Sequence, residues 1–573
     1  MKRLFSYIRP YGWYIALTVA IKFIATVFEL FIPSLMETII DDKVKEDSLA
    51  PIFWLGGLML LCAVLSLGGN ILANRMSAKS AGKITQKLRH DLFSKLENLS
   101  AHQMDELTTS SAVSRLTSDS YNFNQMLARI QRMGIRAPIL LLGGIVMMLT
   151  EDWLLALVLV ALLPILSFVV IKTTQKALPL RFKAQSVLDD MVQVSQENIT
   201  GIRVIKALSK SEHEKKRFNR VNTNLSGTIF KADMYTIINN PVTTLLLNIG
   251  LTLVVLVGAY RVNAGAVKPG VIIAFLQYFN MILMATMGIT RIFIMWAKGE
   301  ASAQRIADVL SIEPELQVQE EKEAPETNAP HIEFRDVTFS YTGVGTNLEN
   351  LNFRLEHGQT LGILGPTGSG KSTIINLLLR FYDPDQGQIL IDGQDVRTID
   401  HEILRKKFGV VFQNDFITEG TIASNMRFFR QMEDAQLEKA AQHAQAEFIR
   451  EKEGEMDAEV VVRGNNLSGG QKQRLLIGRA LAGEPEILIL DDSSSALDYQ
   501  TDANLRRALR ENYRNTTTVL VAQRISSLQH ADLILVLEDG KVIGAGKHAQ
   551  LMENCDEYRI IAQTQMGEGK EGA

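Results

Sequence analysis

The stretch LGILGPTGSGKST, Leu361 to Thr373, determines how the second half of the chain folds. An apolar strand pattern runs into a glycine-rich loop, and the helical pattern TIINLLLR follows. This matches GxxxxGK[ST] in the strand–loop–helix setting that a phosphate-binding loop requires. Glycines let backbone N–H groups curl around phosphate oxygens, and the helix N-terminus adds its positive dipole end. The predicted nucleotide-binding residues of this loop are Gly365, Pro366, Thr367, Gly368, Ser369, Gly370, Lys371, Ser372 and Thr373.

A second apolar run, PEILILDD, supplies the acid that such a loop needs. A continuous apolar run is typical of a parallel strand buried on both faces, and ligands bind at the carboxyl ends of such strands. Asp491 emerges at that end and is predicted to interact with Mg²⁺ either directly or through a ligand of the ion. The Ser372 hydroxyl can bind Mg²⁺, and Lys371 can reach the β and γ phosphates. The two motifs together indicate a nucleoside triphosphatase.

The first half of the chain has a different character, with repeated apolar stretches of membrane-spanning length. Each is close to the ~20 residues that a helix needs to cross a bilayer. The links after the second and fourth stretches are long, rich in Lys and Arg, and helical in pattern, which predicts cytoplasmic loops and termini and helices that continue beyond the membrane. The predicted spans are residues 12–36, 51–74, 134–150, 153–173, 237–260 and 269–297.

Composition narrows the classes of partner and places the domain boundary. A net charge of −3 gives no indication of nucleic-acid binding. The two cysteines, Cys62 and Cys555, predict neither a structural disulfide nor a Cys/His metal cluster.

The acidic, proline-containing stretch VQEEKEAPETNAP, residues 318–330, has linker composition. We therefore predict a membrane domain over 1–317 and an α/β domain over 331–573.

Polar and flexible side chains inside the predicted spans are candidates for a substrate pathway. Lys22 and Glu29 lie seven residues apart in the first span, on one helix face, where charges usually face a cavity or a partner. A structural pair, or snorkelling by Lys22, explains them equally well. Methionines suit a surface that accepts many apolar shapes, although they more often serve ordinary packing. The candidates in the last span are Gln277, Asn280, Met281, Met284 and Met287.

The stretch NLSGGQKQR, Asn466 to Arg474, identifies the kind of nucleoside triphosphatase. With it, the chain resembles the ATP-binding cassette (ABC) transporters, in particular exporter half-transporters. The resemblance covers nearly the whole chain and implies a multidomain fold: an all-α six-helix transmembrane domain followed by an α/β P-loop ATP-binding cassette domain. It also implies ATP and Mg²⁺, and two cassettes stacked head to tail. Each ATP then contacts the partner's signature, here Leu467, Ser468, Gly469, Gly470 and Gln471.

The resemblance assigns roles to further positions. Tyr341 occupies the place of an aromatic residue that stacks on adenine, and Gln413 that of a glutamine contacting Mg²⁺ and the attacking water. Residues 495–498, SALD, resemble the loop that communicates between paired cassettes. Residues 111–119 and 197–208 resemble the segments that press on the cassettes, the second on that of the partner.

The chain departs from the family pattern on its catalytic surface. Where the family has Glu after the magnesium-binding Asp, this chain has Asp492, whose carboxylate is one methylene shorter. Where the family has a histidine that contacts the γ-phosphate, this chain has Gln523, which carries no imidazolium charge. Val461 and Val462 replace an often acidic stretch before the signature. These departures predict a site that binds ATP and hydrolyses it poorly.

An intact signature beside an impaired catalytic surface favours a heterodimer. The sequence resembles the degenerate-site subunit of bacterial heterodimeric multidrug exporters, with a non-identical partner supplying the catalytic Glu and His. We therefore expect a multi-pass protein of the bacterial plasma membrane that exports small hydrophobic or amphipathic compounds. The alternatives are a peptide or lipid exporter or flippase, and a homodimeric exporter with slow ATP hydrolysis.

Overall fold

A computed structural model describes residues 2–43, 49–319, 329–414, 416–493 and 495–567. The chain forms two compact units, each taken here by itself. The first comprises Met1–Glu97 and Ser110–Ile312, and the second comprises Asn98–Thr109 and Glu313–Ala573. Residues 320–328, most of the predicted linker, lie outside the described residues.

The first unit is helical because its long apolar runs contain few helix breakers. Helix α3 and helix α7 each extend over 48 residues; α3 runs through the basic link after the second predicted span, and α7 continues into the link after the fourth as far as Thr200. The helices in chain order are α1 (Lys2–Ile8), α2 (Gly12–Thr38), α3 (Ala50–Glu97), α4 (Ala101–Leu107, in the second unit), α5 (Thr109–Ser114), α6 (Ser120–Glu151), α7 (Trp153–Thr200), α8 (Ile202–Ala207), α9 (Ser211–Ile237), α10 (Asn239–Asn263) and α11 (Pro269–Ser311).

Within the described residues, five helical stretches are long and apolar enough to cross a bilayer. They contain or overlap five of the six predicted spans. The remaining prediction, 153–173, falls on α7, where the apolar stretch found is the shorter Trp153–Leu162. The count of six therefore stays a prediction. The five stretches are Leu4–Lys43, Ala50–Glu97, Thr109–Glu151, Thr244–Asn263 and Pro269–Thr286.

The second unit is an α/β fold with two larger sheets and a two-stranded ribbon among its described residues. One sheet has the order β2-β1-β4-β5, the other has the order β12-β11-β3-β10-β9-β6, and β7 pairs with β8. The strands are β1 (Ile332–Phe339), β2 (Leu348–Leu355), β3 (Thr360–Leu364), β4 (Gln386–Ile391), β5 (Gln394–Asp395), β6 (Phe408–Val411), β7 (Gly420–Thr421), β8 (Glu459–Val460), β9 (Ile487–Asp491), β10 (Thr517–Val521), β11 (Leu533–Glu538) and β12 (Lys541–Gly546).

Helices cover the sheets and bury two apolar cores, one of which packs β3 and α12 against β1 and β2. The helices are α12 (Lys371–Leu378), α13 (His401–Lys406), α14 (Ile422–Arg427), α15 (Asp434–His443), α16 (Gly469–Ala482), α17 (Tyr499–Asn512), α18 (Ile525–Leu528), α19 (His548–Asn554) and α20 (Asp556–Gly567).

Parallel pairing in the six-stranded sheet brings the predicted catalytic segments to one edge. Val521 of β10 lies opposite Asp491 of β9 on one side and Ile363 of β3 on the other. The carboxyl ends of these three strands are therefore level. The phosphate loop, the paired aspartates and the loop of Gln523 all begin there, as expected for a ligand site in a parallel sheet.

The stretch just before the first predicted cassette-contacting segment belongs to the second unit. Residues 111–119 lie in the first unit, whereas Asn98–Thr109 lies in the second. There Ser100 and Gln103 form a capping box that starts α4, and the Tyr382 hydroxyl donates to Asp105 Oδ2 at 2.7 Å. The S-x-x-Q capping signal at residue 100 could have located this short helix. The second segment, 197–208, contains the end of α7 and the short α8, whose residues are not buried.

Candidate nucleotide-binding and catalytic site

The phosphate loop turns sharply between β3 and α12, and glycine permits the turn. Gly368 and Gly370 have φ values of +87° and +99°, in the left-handed region that favours glycine. A Cβ atom at Gly370 would also lie only 2.8 Å from Leu348 Cδ2. The loop can therefore present its backbone N–H groups at the N-terminus of α12, which begins at Lys371.

The polar side chains of this loop fit a phosphate ligand. Lys371 Nζ donates to the carbonyl oxygens of Gly365 at 2.9 Å and Pro366 at 2.7 Å, both uncharged partners. Burial lowers the pKa of Lys371, and the nearby Asp491 and Asp492 oppose that effect only in part. Ser369 Oγ is buried and forms no hydrogen bond with the residues that the structure describes. Phosphate oxygens would supply both a counter-charge and an acceptor.

The predicted magnesium ligands lie together. Ser372 Oγ donates to Asp491 Oδ2 at 3.4 Å, and Asp491 is buried at the end of β9. Burial is the largest cause of a raised pKa at Asp491, partly offset by the Ser372 hydrogen bond. A carboxylate that burial makes costly to ionise is stabilised by a bound cation. Gln413 is exposed on the loop after β6, the strand that pairs with β9.

Tyr341 places an aromatic ring beside the first turn of α12. Its hydroxyl accepts from Asn376 Nδ2 at 3.0 Å and lies 3.4 Å from Thr373 Oγ1. Phe339 and Tyr382 meet the ring edge-on, with centroids 4.9 and 5.0 Å away. These contacts fix the ring, as stacking on a nucleobase would require.

The signature begins a helix. Ser468 caps α16 by accepting from the Gln471 backbone N–H at 3.3 Å, while Gln471 Oε1 accepts from the Ser468 N–H at 3.0 Å. The helix starts at Gly469, directly after this cap. Gly470 cannot gain a side chain freely, because a Cβ atom there would lie 3.1 Å from the Ala496 carbonyl oxygen.

Gln473 was missed by the sequence analysis although it joins the signature helix to the SALD loop. Its Nε2 donates to Ser495 Oγ at 3.1 Å, and its Oε1 accepts from the Ala496 N–H at 3.0 Å. Asp498 then caps α17 by accepting from the Thr501 N–H. The signature helix and the SALD loop, which the family resemblance assigns to contact with the partner, are therefore joined by hydrogen bonds within one chain.

Asp492 and Gln523 lie next to each other at the carboxyl edge of the sheet. The Asp492 N–H donates to the Val521 carbonyl oxygen at 3.0 Å, and its backbone adopts φ +49°. Gln523 Nε2 donates to Asp492 Oδ2 at 3.4 Å. Burial raises the pKa of Asp492, while Lys371 and Arg524 oppose the shift.

The C-terminal helix holds the loop of Gln523, which the sequence analysis also missed. Gln565 of α20 donates through Nε2 to the Gln523 carbonyl oxygen at 2.8 Å and accepts through Oε1 from the Ile525 N–H at 2.8 Å. One side chain therefore fixes the backbone on both sides of Arg524.

Comparison with known proteins agrees with this geometry. The family described as "ABC transporter transmembrane region" matches residues 12–287, and the family described as "ABC transporter" matches residues 348–495. An uncharacterized ABC transporter ATP-binding protein of Bacillus subtilis, YfiB, is 34% identical over the full length of both chains. The chain belongs to the ABC transporter family.

Further relatives and a solved structure give the same architecture for this ABC transporter. The putative ABC transporter ATP-binding protein exp8 of Streptococcus pneumoniae is 31% identical, covering 99% of this chain and 97% of the relative. A bacterial Atm1-family ABC exporter, solved with ATP bound, has the same fold with a TM-score of 0.78 at 23% identity, covering 99% of each chain. A transmembrane region joined to an ABC ATPase domain makes the chain part of an ATP-hydrolysing, membrane-spanning transporter.

The residues proposed for the substrate pathway are only partly brought together. A cavity of about 240 Å³ in the first unit is lined by Glu29, Asn280 and Met284, with Met281 among its other lining residues. Lys22 instead is buried and donates to Asn70 Oδ1 at 2.5 Å and Asn74 Oδ1 at 3.3 Å.

Glu29 pairs with Arg136 rather than with Lys22. The Arg136 guanidinium donates to both carboxylate oxygens of Glu29, at 2.7 and 3.3 Å. Gln277 is half-buried and does not line the cavity. The Met287 side chain lies outside the described residues.

Proposed function

We propose that this ABC transporter is one subunit of a heterodimeric exporter whose own ATP site binds nucleotide and hydrolyses it slowly. Its signature serves the ATP bound by the partner, a non-identical half-transporter that carries the catalytic Glu and His. The contact between Gln523 and Asp492 carries the proposal.

The reach of Asp492 supports slow hydrolysis. A general base must lie within hydrogen-bond reach of its proton, directly or through one water. Asp places its carboxylate roughly 1–1.5 Å short of a Glu at the same position, and about 1 Å of misplacement can cost on the order of 10²-fold in rate. The carboxylate also accepts a hydrogen bond from the Gln523 amide, which lowers its availability as a base.

Nucleotide binding needs neither of these two residues. Lys371 and the backbone of the phosphate loop would hold the phosphates, and Tyr341 would stack on adenine. Ser372, Asp491 and Gln413 would hold Mg²⁺, which when bound stabilises charge on the transferred phosphoryl group. The loop geometry, the unpaired Ser369 hydroxyl and the fixed Tyr341 ring all support retained binding.

The heterodimer is tested by measuring hydrolysis in defined assemblies. The purified chain alone and its complex with the adjacent-gene half-transporter are compared, and the partner's catalytic Glu is then changed to Gln. We expect low activity from the lone chain, high activity from the complex and near-complete loss in the partner variant. Brisk hydrolysis by a symmetric pair of this chain would establish the homodimer instead.

The cavity lined by Glu29, Arg136 and Met284 supports export of hydrophobic or amphipathic compounds of the multidrug type. Met281 and Met284 offer a flexible apolar wall, and the ion pair gives one polar anchor. In this proposal the spans lie in the plasma membrane of a bacterial cell, and the cassettes and both termini lie in its cytoplasm.

Transport in inside-out vesicles containing the paired complex tests the substrate class, with several dyes, peptides and fluorescent lipids as alternatives. Glu29→Gln and Arg136→Gln should change the ranking of transported compounds. Arg181→Gln, which breaks the ion pair with Asp233 away from this cavity, is the matched control. Transport of peptides or lipids alone would replace the multidrug assignment.

A further inference from the structure

Two histidines and an aspartate meet at the edge of the cassette domain where the predicted linker joins it. His331 immediately precedes β1, His357 lies in the turn between β2 and β3, and Asp392 lies in the turn between β4 and β5. One ligand atom from each side chain lies within 4.8 Å of the other two. The backbone fixes part of this arrangement, because the Asp392 N–H donates to the His331 carbonyl oxygen at 3.1 Å.

His331 is the buried member of this cluster and has an unused nitrogen. Its side chain is 0% exposed, and Nε2 forms no hydrogen bond with any residue that the structure describes. Asp392 Oδ1 lies 4.0 Å from this nitrogen, too far for a hydrogen bond. Buried polar nitrogens are nearly always paired, so an unpaired one that faces a carboxylate and a second imidazole indicates a ligand.

Thr517 sets the protonation of the His331 ring. Thr517 Oγ1 lies 2.6 Å from His331 Nδ1, accepts from the Gly358 N–H at 3.0 Å and is 3.4 Å from the Glu356 carbonyl oxygen. A carbonyl can only accept, so we assign the hydroxyl proton to Glu356 and the Nδ1 proton of His331 to Thr517. This tautomer leaves a lone pair on Nε2, as in metal-binding histidines whose other nitrogen donates to a protein oxygen.

An ordinary ion pair accounts for only part of the cluster. His357 Nε2 lies 3.0 Å from Asp392 Oδ1, and Lys407 Nζ holds Asp392 Oδ2 at 3.2 Å. Those contacts occupy both oxygens of Asp392 and one nitrogen of His357, and they leave His331 Nε2 without a hydrogen bond to any described residue. They also show that Oδ2 is already occupied, so Oδ1 is the oxygen that faces the histidines.

We propose that His331 Nε2, His357 Nε2 and Asp392 Oδ1 bind one divalent transition-metal ion of the zinc class, with water as a fourth ligand. Imidazole and carboxylate together suit such ions, and three protein ligands with one open position form a common zinc arrangement. Tetrahedral ligand atoms about 2.0–2.1 Å from zinc lie roughly 3.3 Å apart, so the cluster must contract on binding. His357 can move, because its side chain is 62% exposed and packs against His331 by stacking, with 3.9 Å between ring centroids.

This site is separate from the magnesium site. The cluster lies at the start of β3, and the phosphate loop follows its end, roughly 16 Å along the strand at about 3.3 Å per residue. The ion would join the residue just before β1 to two neighbouring turns, so we expect it to stabilise the domain.

Cobalt binding to the full chain tests the site. The protein is purified in detergent without a histidine tag, treated with a chelator and titrated with Co²⁺, whose visible absorption reports tetrahedral ligation. Bound Zn²⁺ per chain is counted by elemental analysis. We expect one ion per chain and a raised Tm in the wild type, and loss of both effects in His357→Ala and Asp392→Asn.

Two control variants test whether the metal ion binds at this cluster and not elsewhere in the unit. His530→Ala removes an exposed histidine of the same unit, and Asp491→Asn alters the magnesium site; both should retain the cobalt spectrum and the metal-dependent rise in Tm. His357→Gln keeps a polar side chain at the exposed position should the alanine variant unfold. Unchanged cobalt binding by the His357 variants, loss of binding in Asp491→Asn, or no stoichiometric binding by the wild type overturns the proposal.

Discussion

Gln523 Nε2 lies 3.4 Å from Asp492 Oδ2, so the two departures from the family's catalytic pattern touch each other. The sequence shows them 31 positions apart, and parallel pairing of β9 with β10 brings them together. Substitutions of residues in contact have coupled effects. Neither substitution alone therefore measures how fast this site can hydrolyse ATP.

Restoring both family residues should raise hydrolysis at this site. With the partner's catalytic Glu changed to Gln, Asp492→Glu combined with Gln523→His should increase the rate about 10- to 100-fold, because the longer acid reaches the water and imidazole replaces the amide. ATP turnover of the four members of the mutant cycle checks this. We expect the rate increase of the double variant to exceed the product of the two single increases. An unchanged rate would show that other residues limit hydrolysis at this site.

Removal of Gln565 should weaken that restored activity. Its two hydrogen bonds hold the backbone on either side of Arg524, so Gln565→Ala should loosen the loop and lower the rate of the restored variant roughly tenfold. Gln563→Ala, an exposed position on the same helix, serves as the control. Nucleotide affinity measured in parallel should change little, and equal rates for the two variants would exclude a positioning role for Gln565.

Lys371→Ala should abolish most nucleotide binding by the lone chain. The lost ammonium would otherwise make charge-assisted hydrogen bonds with phosphate, so the affinity for a fluorescent ATP analogue should fall on the order of 10- to 100-fold. Lys541→Ala removes an exposed lysine that pairs with Glu349 and should leave affinity unchanged. Equal binding by wild type and Lys371→Ala would show that this phosphate loop does not hold nucleotide.

Tyr382→Phe should separate hydrolysis from transport. The hydroxyl donates to Asp105 of α4 at 2.7 Å, and burial together with that carboxylate raises the pKa of Tyr382, so the bond persists at neutral pH. Loss of this hydrogen bond should lower transport several-fold, because hydrogen bonds to charged groups contribute about 1.5–3 kcal/mol. ATP turnover should change little. Vesicle transport and ATPase assays on one preparation check this, with Tyr260→Phe as the control; a parallel fall in both would argue against a coupling role.

Several features could be read directly from the sequence because each is encoded by neighbouring residues. Apolar runs predicted the helices and the buried strand β9, and glycine spacing predicted the loop between β3 and α12. The short α4 was not predicted, although Ser100 with Gln103 provides a local capping signal for it.

By itself the sequence determined the phosphate loop, the signature and the two catalytic departures, since chemistry of this kind follows from residue type and short spacing. The tertiary structure alone decided that Glu29 pairs with Arg136, that Gln565 clamps the Gln523 loop and that His331, His357 and Asp392 converge. Such contacts join residues far apart in the chain, and their geometry follows from strand register and helix packing, which no local pattern specifies.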